Sequence, residues 1–242
     1  MPSQRSLVLS AVLVGCCGTT ALAELFVPDD LNPGDQYHFA FFTGFASGSL
    51  TLPDATSDDI SVYNNYVNSA AEAAGSTTAG SDVVWRAITS TPTVDARDNA
   101  SVSGAVYLLD GTQLADGFSD FWDGTLNAPL NINQFGVTEP NALVSTGSDS
   151  AGFGATNAEL GSSSGNSAVG VKDVAAAVGI TGATWINVFE RPQASAFGFF
   201  ALSQPLTVAS VPEPSSTWLM LCAVAIAGVV HVRKLRRHPS LR

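Results

Sequence analysis

Apolar and polar positions fall in blocks along the 242 residues. Two blocks, Leu7 to Leu22 and Thr217 to Val232, are almost wholly apolar and lie near the ends. Between them the apolar runs are short and bounded by Gly, Pro, Asp and Ser, the pattern of a folded body with turns. Tyr37 to Phe45 is aromatic and apolar and predicts a buried strand, after which Ser47-Gly48-Ser49 turns the chain. Ile60, Tyr63, Tyr66, Val67, Ala70, Ala71 and Ala74 recur at helical spacing. Asp58 and Asp59 precede them as caps and Gly75 follows as a stop, so a helix is expected here. Val83 to Ile88 and Ala105 to Leu109 predict strands, the second closed by Asp110-Gly111, with a polar turn from Asp95 to Asn99 between them. Val144 to Gly170 is rich in Gly and Ser and reads as a long surface loop. Val171 to Val178 reads as a short helix, and Thr184 to Glu190 and Phe197 to Val208 as the last strands. The elements mix without βαβ alternation, so the expected class is α+β.

The two end blocks set the organisation. Arg5 precedes the first, and Ala21-Leu22-Ala23 before Glu24 fits the small-x-small rule of signal peptidase, so residues 1–23 read as a signal peptide. A buried N-terminal helix is the plainer alternative. Leu13-Val14-Gly15-Cys16 also looks like a lipobox, which would acylate Cys16. At the other end, Thr217 to Val232 spans about 24 Å as a helix. Ser215, Ser216, Arg233 and Lys234 extend it towards the ~30 Å of a hydrocarbon core. Five of the ten Lys and Arg residues fall in the last ten positions. The positive-inside rule keeps that end in the cytoplasm, and the N-terminal signal sends residues 24–210 outward.

Val211-Pro212-Glu213-Pro214-Ser215-Ser216, the apolar helix of 217–232 and the basic tail of 233–242 follow one another in that order. This tripartite end resembles the PEP-CTERM sorting signal of Gram-negative bacteria. The resemblance implies recognition at Val211, Pro212, Glu213, Pro214 and Ser215 by an exosortase-like membrane enzyme. It also implies an association with exopolysaccharide and biofilm. The prolines hold the segment extended and stop the helix from running back through it, which suits a protease working at a membrane surface. An ordinary single-span anchor with a Pro-rich stalk is the alternative. The implied route is an inner-membrane intermediate with a cytoplasmic C-terminus, then the cell surface or extracellular matrix.

Charge changes the picture of the middle. Residues 24–210 hold twenty of the 21 acids but only Arg86, Arg97, Lys172 and Arg191 of the bases, a net charge near −16. Such a surface repels nucleic acid and anionic lipid. Cys16, Cys17 and Cys222 all lie in the end blocks, so the exported body has no disulfide, thiol nucleophile or Cys-based metal site. It is expected to stand on packing alone.

Several segments of this body are similar to bacterial surface domains of the C-type-lectin-like, endostatin-like fold. They are Ala73-Ala74-Gly75 at the end of the helix, Trp85-Arg86-Ala87-Ile88-Thr89-Ser90, Val106-Tyr107-Leu108-Leu109-Asp110-Gly111, Asp120-Phe121-Trp122-Asp123-Gly124 and Phe200-Ala201-Leu202-Ser203. The similarity runs from Tyr37 to Val208, and the fold's usual disulfide cysteines are missing.

Candidate chemistry is sparse. Glu139-Pro140-Asn141 is the tripeptide that many calcium-dependent lectins use to hold calcium and a sugar's hydroxyls, which makes Glu139 and Asn141 candidate sugar ligands. The partner Trp-Asn-Asp pattern is absent, and Trp185-Ile186-Asn187 is its nearest counterpart. Asp110, Asp116, Asp120 and Asp123 form an oxygen-rich stretch, a candidate Ca²⁺ site without EF-hand spacing; a solvated acidic loop is the default. Phe118, Phe121 and Trp122 are expected in the core rather than on a sugar platform. Asn99-Ala100-Ser101 fits a glycosylation sequon. The single histidine of the body, His38, sits among phenylalanines, and no Gly-x-Ser-x-Gly elbow surrounds any serine. The expectation is therefore a non-catalytic surface or matrix protein that binds polysaccharide or self-associates. The alternatives are a secreted polysaccharide hydrolase using two carboxylates and a ligand-free spacer.

Overall fold

The structure, a computed structural model, describes residues 25–44, 51–139, 142–172 and 183–210. The expected signal peptide of 1–23, the expected sorting motif Val211–Ser215, the apolar run of 217–232 and Asn141 lie outside the described residues. Among the described residues no helix is long and apolar enough to cross a membrane.

The class is α+β. The strands are β1 (Gln36–Phe42), β2 (Trp85–Ala87), β3 (Ala105–Leu108), β4 (Gln113–Ala115), β5 (Ala142–Ser145), β6 (Asn166–Lys172), β7 (Phe189–Pro192), β8 (Phe200–Ser203) and β9 (Leu206–Thr207). The helices are α1 (Ile60–Ala71), α2 (Ala96–Asn99) and α3 (Phe118–Phe121). The main sheet has the order β2-β8-β1-β3-β4, with β9 beside β1, and a second sheet has the order β5-β6-β7. β1 runs parallel to β3 and antiparallel to β8.

The apolar run of β1 is explained by burial on both faces. Tyr37, Phe39 and Phe41 point to one side, where they meet Tyr63 and Val67 of α1, Trp85 and Phe199. Ala40 and Phe42 point to the other, into a cluster with Ile88, Phe121, Trp122, Trp185 and Phe200. A half-exposed strand would alternate with polar residues; this one has no solvent face to serve.

β8 and β9 continue along one side of β1 with a one-residue change of register between them. Pro205, which has no N–H, sits at the break. Side chains take over there. The Phe39 N–H donates to the Ser203 hydroxyl (2.9 Å) and the His38 ring donates to the Ser203 carbonyl (2.8 Å).

Four expectations change. The helix ends at Ala71 rather than Ala74, because the chain turns through Glu72 to Gly75, whose φ is +85°. Val144–Gly170 is not one loop. Its ends are β5 and β6, antiparallel partners from Ala142–Lys172 to Ser145–Val169. Close packing requires the glycine at one of these positions: a Cβ on Gly170 would collide with the Trp185 carbonyl. Val171 and Lys172 finish β6 instead of starting a helix; 173–178 lie outside the described residues. Thr184–Glu190 is not one strand but a 3-10 turn at Ala183–Trp185 followed by β7. The polar turn at Asp95–Asn99 holds the short α2, and β4 and α3 are additions the pattern did not announce.

Candidate functional site

The four candidate calcium aspartates are not gathered. Asp110 Oδ1 accepts the Thr112 N–H at 2.9 Å. Asp123 Oδ1 accepts both the N–H and the hydroxyl of Thr125, each at 2.7 Å, and these bonds hold its carboxyl below the usual range. Asp120 Oδ2 accepts the Asp116 N–H at 2.8 Å, and Asp116 Oδ1 accepts from Gln113 Nε2 at 2.9 Å. Each carboxylate closes a local turn, the ordinary work of Asp in such positions. Among the described residues no group of three or more His, Cys, Asp or Glu is placed to hold a metal ion. Glu139 is half-buried and accepts from Asn133 Nδ2 at 2.5 Å.

His38 is fully buried and structural. Nδ1 faces the Ser203 carbonyl, and Nε2 accepts the Ser103 N–H at 2.9 Å, with the Ser103 hydroxyl at 3.2 Å. A carbonyl can only accept and an N–H can only donate, so the ring is neutral with its proton on Nδ1. Burial lowers its pKa, against a smaller opposing effect of the Ser203 carbonyl.

Asn99 of the sequon is equally committed. Its Nδ2 donates to Asn64 Oδ1 (2.9 Å) and to the Ala87 carbonyl (2.8 Å). A glycan on that nitrogen would replace one of its two hydrogens and so remove at least one of these bonds.

Two concavities are formed by described residues. One, of about 430 Å³, lies between the segment Phe26–Asp30 and the Asp110-Gly111 turn. Asp30 is held there by the Tyr107 hydroxyl at 2.9 Å, and burial first, with Asp30 second, pushes the Tyr107 phenol up. The other, of about 250 Å³, is lined by Asp149, Gly154, Thr156, Asn187 and Glu190 among others. Two carboxylates, an amide and a hydroxyl suit a polyhydroxylated ligand, which needs both acceptors and donors. The wall of this cleft is a built loop. Asp149 Oδ1 accepts the N–H groups of Ala151 and Phe153, each at 2.9 Å, and Asp95 Oδ1 reaches across to the Gly154 N–H at 2.7 Å.

The same loop carries Phe153 to the surface. The Arg97 guanidinium of α2 lies 4.5 Å from the Phe153 ring centre and 4.8 Å from that of Phe118 on α3. Both rings are exposed, 45% and 38%. Phe121 and Trp122 lie in the core as expected, whereas Phe118 does not. Reading the sequence missed this trio because its members are far apart in the chain. The only local signal was Phe153 between Gly152 and Gly154, an aromatic with no apolar neighbours to bury it.

No protein-family model matches the chain, and no curated protein is significantly similar to it.

Proposed function

We propose that the chain is a non-catalytic surface or extracellular-matrix protein, exported by its signal peptide and sorted by an exosortase-like membrane enzyme. Its acidic, cysteine-free body, with a C-type-lectin-like arrangement, binds extracellular polysaccharide. The observation that carries the reading is where the folded body closes. Val208 donates its N–H to the Asp35 carbonyl (3.0 Å) and accepts the Gly34 N–H (2.9 Å), three residues before Val211 in the chain. The motif Val211-Pro212-Glu213-Pro214-Ser215 thus follows directly on the last backbone bonds of the body. The test is intact mass of the protein from its native host, before and after changing Pro212, Glu213 and Pro214 to alanine. Loss of the C-terminal segment in the wild type alone is the expected result. An uncut chain in both makes it a plain membrane anchor.

A second reading draws support from the 250 Å³ cleft, where Asp149 and Glu190 line one cavity. Paired carboxylates are the machinery of glycoside hydrolysis. Release of reducing sugar from polysaccharides, abolished by Asp149→Asn or Glu190→Gln, would establish a hydrolase. No release from any substrate removes it.

A further inference from the structure

We propose that Phe118, Arg97 and Phe153 form a binding platform for a neutral hexose polymer, at the rim of the cleft lined by Asp149, Asn187 and Glu190. The inference rests on the glycan-binding reading above and assigns it a place and a substrate class.

Three features converge on the same surface. Two phenylalanine rings that would ordinarily be buried are held at 38% and 45% exposure, one on α3 and one on a glycine-flanked loop. A guanidinium is set against both, at 4.8 and 4.5 Å from the ring centres. Arginine stacks well on aromatic faces because its plane is weakly hydrated, and stacking fixes the direction of its N–H fork. Arg97 Nη1 makes one long hydrogen bond, 3.4 Å, to the Ala151 carbonyl. A guanidinium carries five N–H donors, so most of its capacity is left for a ligand's oxygens. Exposed aromatic carbon beside oriented donors matches a pyranose, which has an apolar C–H face and a rim of hydroxyls.

The loop that presents Phe153 also supplies Asp149, Gly154, Ala155 and Thr156 to the lining of the 250 Å³ cleft, so platform and cleft share the segment Asp149–Thr156. The platform offers apolar surface and donors; the cleft offers acceptors in Asp149, Glu190 and the Asn187 amide. A polymer lying across both meets complementary groups along its length. Charge selects among polymers. Asp95, Asp98, Asp120 and Asp149 are chain neighbours of the trio, in a body of net charge near −16, so a uronate polymer is repelled. A cationic amino-sugar polymer is attracted to any part of such a surface and needs no platform. A neutral hexose polymer is the class for which this geometry decides binding.

The experiment is retention of the full chain, in a detergent without a sugar headgroup, on immobilised neutral, amino-sugar and uronate polymers. Phe118→Ala, Phe153→Ala, Arg97→Lys and Phe153→Trp are run beside the wild type with their melting temperatures. The expected result is retention on a neutral polymer that falls about tenfold in each alanine variant, the order for one lost stacking ring. It falls in Arg97→Lys, which keeps the charge and loses the fork, and is kept in Phe153→Trp. Neutral-polymer retention unchanged by the alanine variants, with a lowered melting temperature, would make the trio a loop clamp only and overturn this site while leaving the glycan reading intact. Retention on the amino-sugar polymer alone overturns it as well. No retention on any polymer removes both the site and the glycan reading, while the sorting reading is decided separately by the intact mass.

Discussion

Asn64 and Asn99 exchange two hydrogen bonds, Nδ2 to Oδ1 in each direction and each 2.9 Å long. The pair does the work of a missing strand. β2 pairs with β8 on one side only, and its outward backbone groups need partners. Asn64 Oδ1 accepts the Ala87 N–H (2.9 Å), and Asn99 Nδ2 donates to the Ala87 carbonyl (2.8 Å). One helical turn on, Asn68 accepts the Trp85 N–H (2.9 Å) and donates to the Trp85 carbonyl (2.6 Å). Three side-chain amides thus close the edge of the main sheet, where unpaired backbone would invite another chain. Asn64→Leu and Asn68→Ala should each cost about 1–3 kcal/mol, the penalty for orphaned buried groups. Urea unfolding measures the loss, and light scattering of the variants should show association through the opened edge.

His38 makes stability depend on pH. Its folded pKa is lowered, chiefly by burial, while the unfolded value is about 6.5. Above that value both states are neutral and nothing is lost. As pH falls through it, the unfolded chain takes up the proton first, so stability declines until the lowered folded value is reached. Protonation would also set a second N–H against the Ser103 N–H. The urea midpoint of the wild type should drop over this window more steeply than that of His38→Gln, which lacks the titration. Parallel curves would assign the drop to the carboxylates.

Gln193 holds the turn between Glu159 and Asn166. Its Nε2 lies 3.2 Å from the Glu159 carbonyl and 3.0 Å from the Ser162 carbonyl, the Ser162 hydroxyl and the Asn166 carbonyl. Only a donor belongs there. Gln193→Glu should destabilise by about 1–3 kcal/mol or more, since it removes the donor and faces carbonyls with negative charge. Thermal melts of Gln193→Glu and Gln193→Leu separate the charge from the lost bonds, with the Glu variant the weaker.

Gly104 and Gly34 test space against backbone conformation. A Cβ on Gly104 would collide with the Gln36 carbonyl, so Gly104→Ala pushes β3 from β1 and should cost about 1–3 kcal/mol. Gly34 has open space but φ of +96°, so Gly34→Ala should cost about 1–2 kcal/mol from the left-handed conformation alone. A crystal structure of each variant should show a strand shift at Gly104→Ala and none at Gly34→Ala.

Calcium should leave the melting temperature within about 1 °C of its value in chelator, because Asp110 and Asp123 each close a turn of their own while Asp116 and Asp120 are tied together in a third. A saturable rise with calcium, governed by the usual linkage to ligand concentration, would show that they reorganise around an ion.

The pattern of the chain by itself determined the α+β class, the core strand beginning at Tyr37, the helix with its Asp59 cap and the burial of His38, Phe121 and Trp122. These follow from local periodicity and from which side chains water rejects, and both are written in neighbouring residues. The tertiary structure alone decided the rest. β5 and β6 border a Gly- and Ser-rich stretch that reads as one loop, and they become strands because their backbones find each other across 20 intervening residues. The Asn64–Asn99 pair, the donor of Gln193 and the Phe118–Arg97–Phe153 trio join positions far apart in sequence. Hydrogen bonds and ring contacts act over a few ångströms, so only the folded path of the chain says which of these polar and aromatic residues meet.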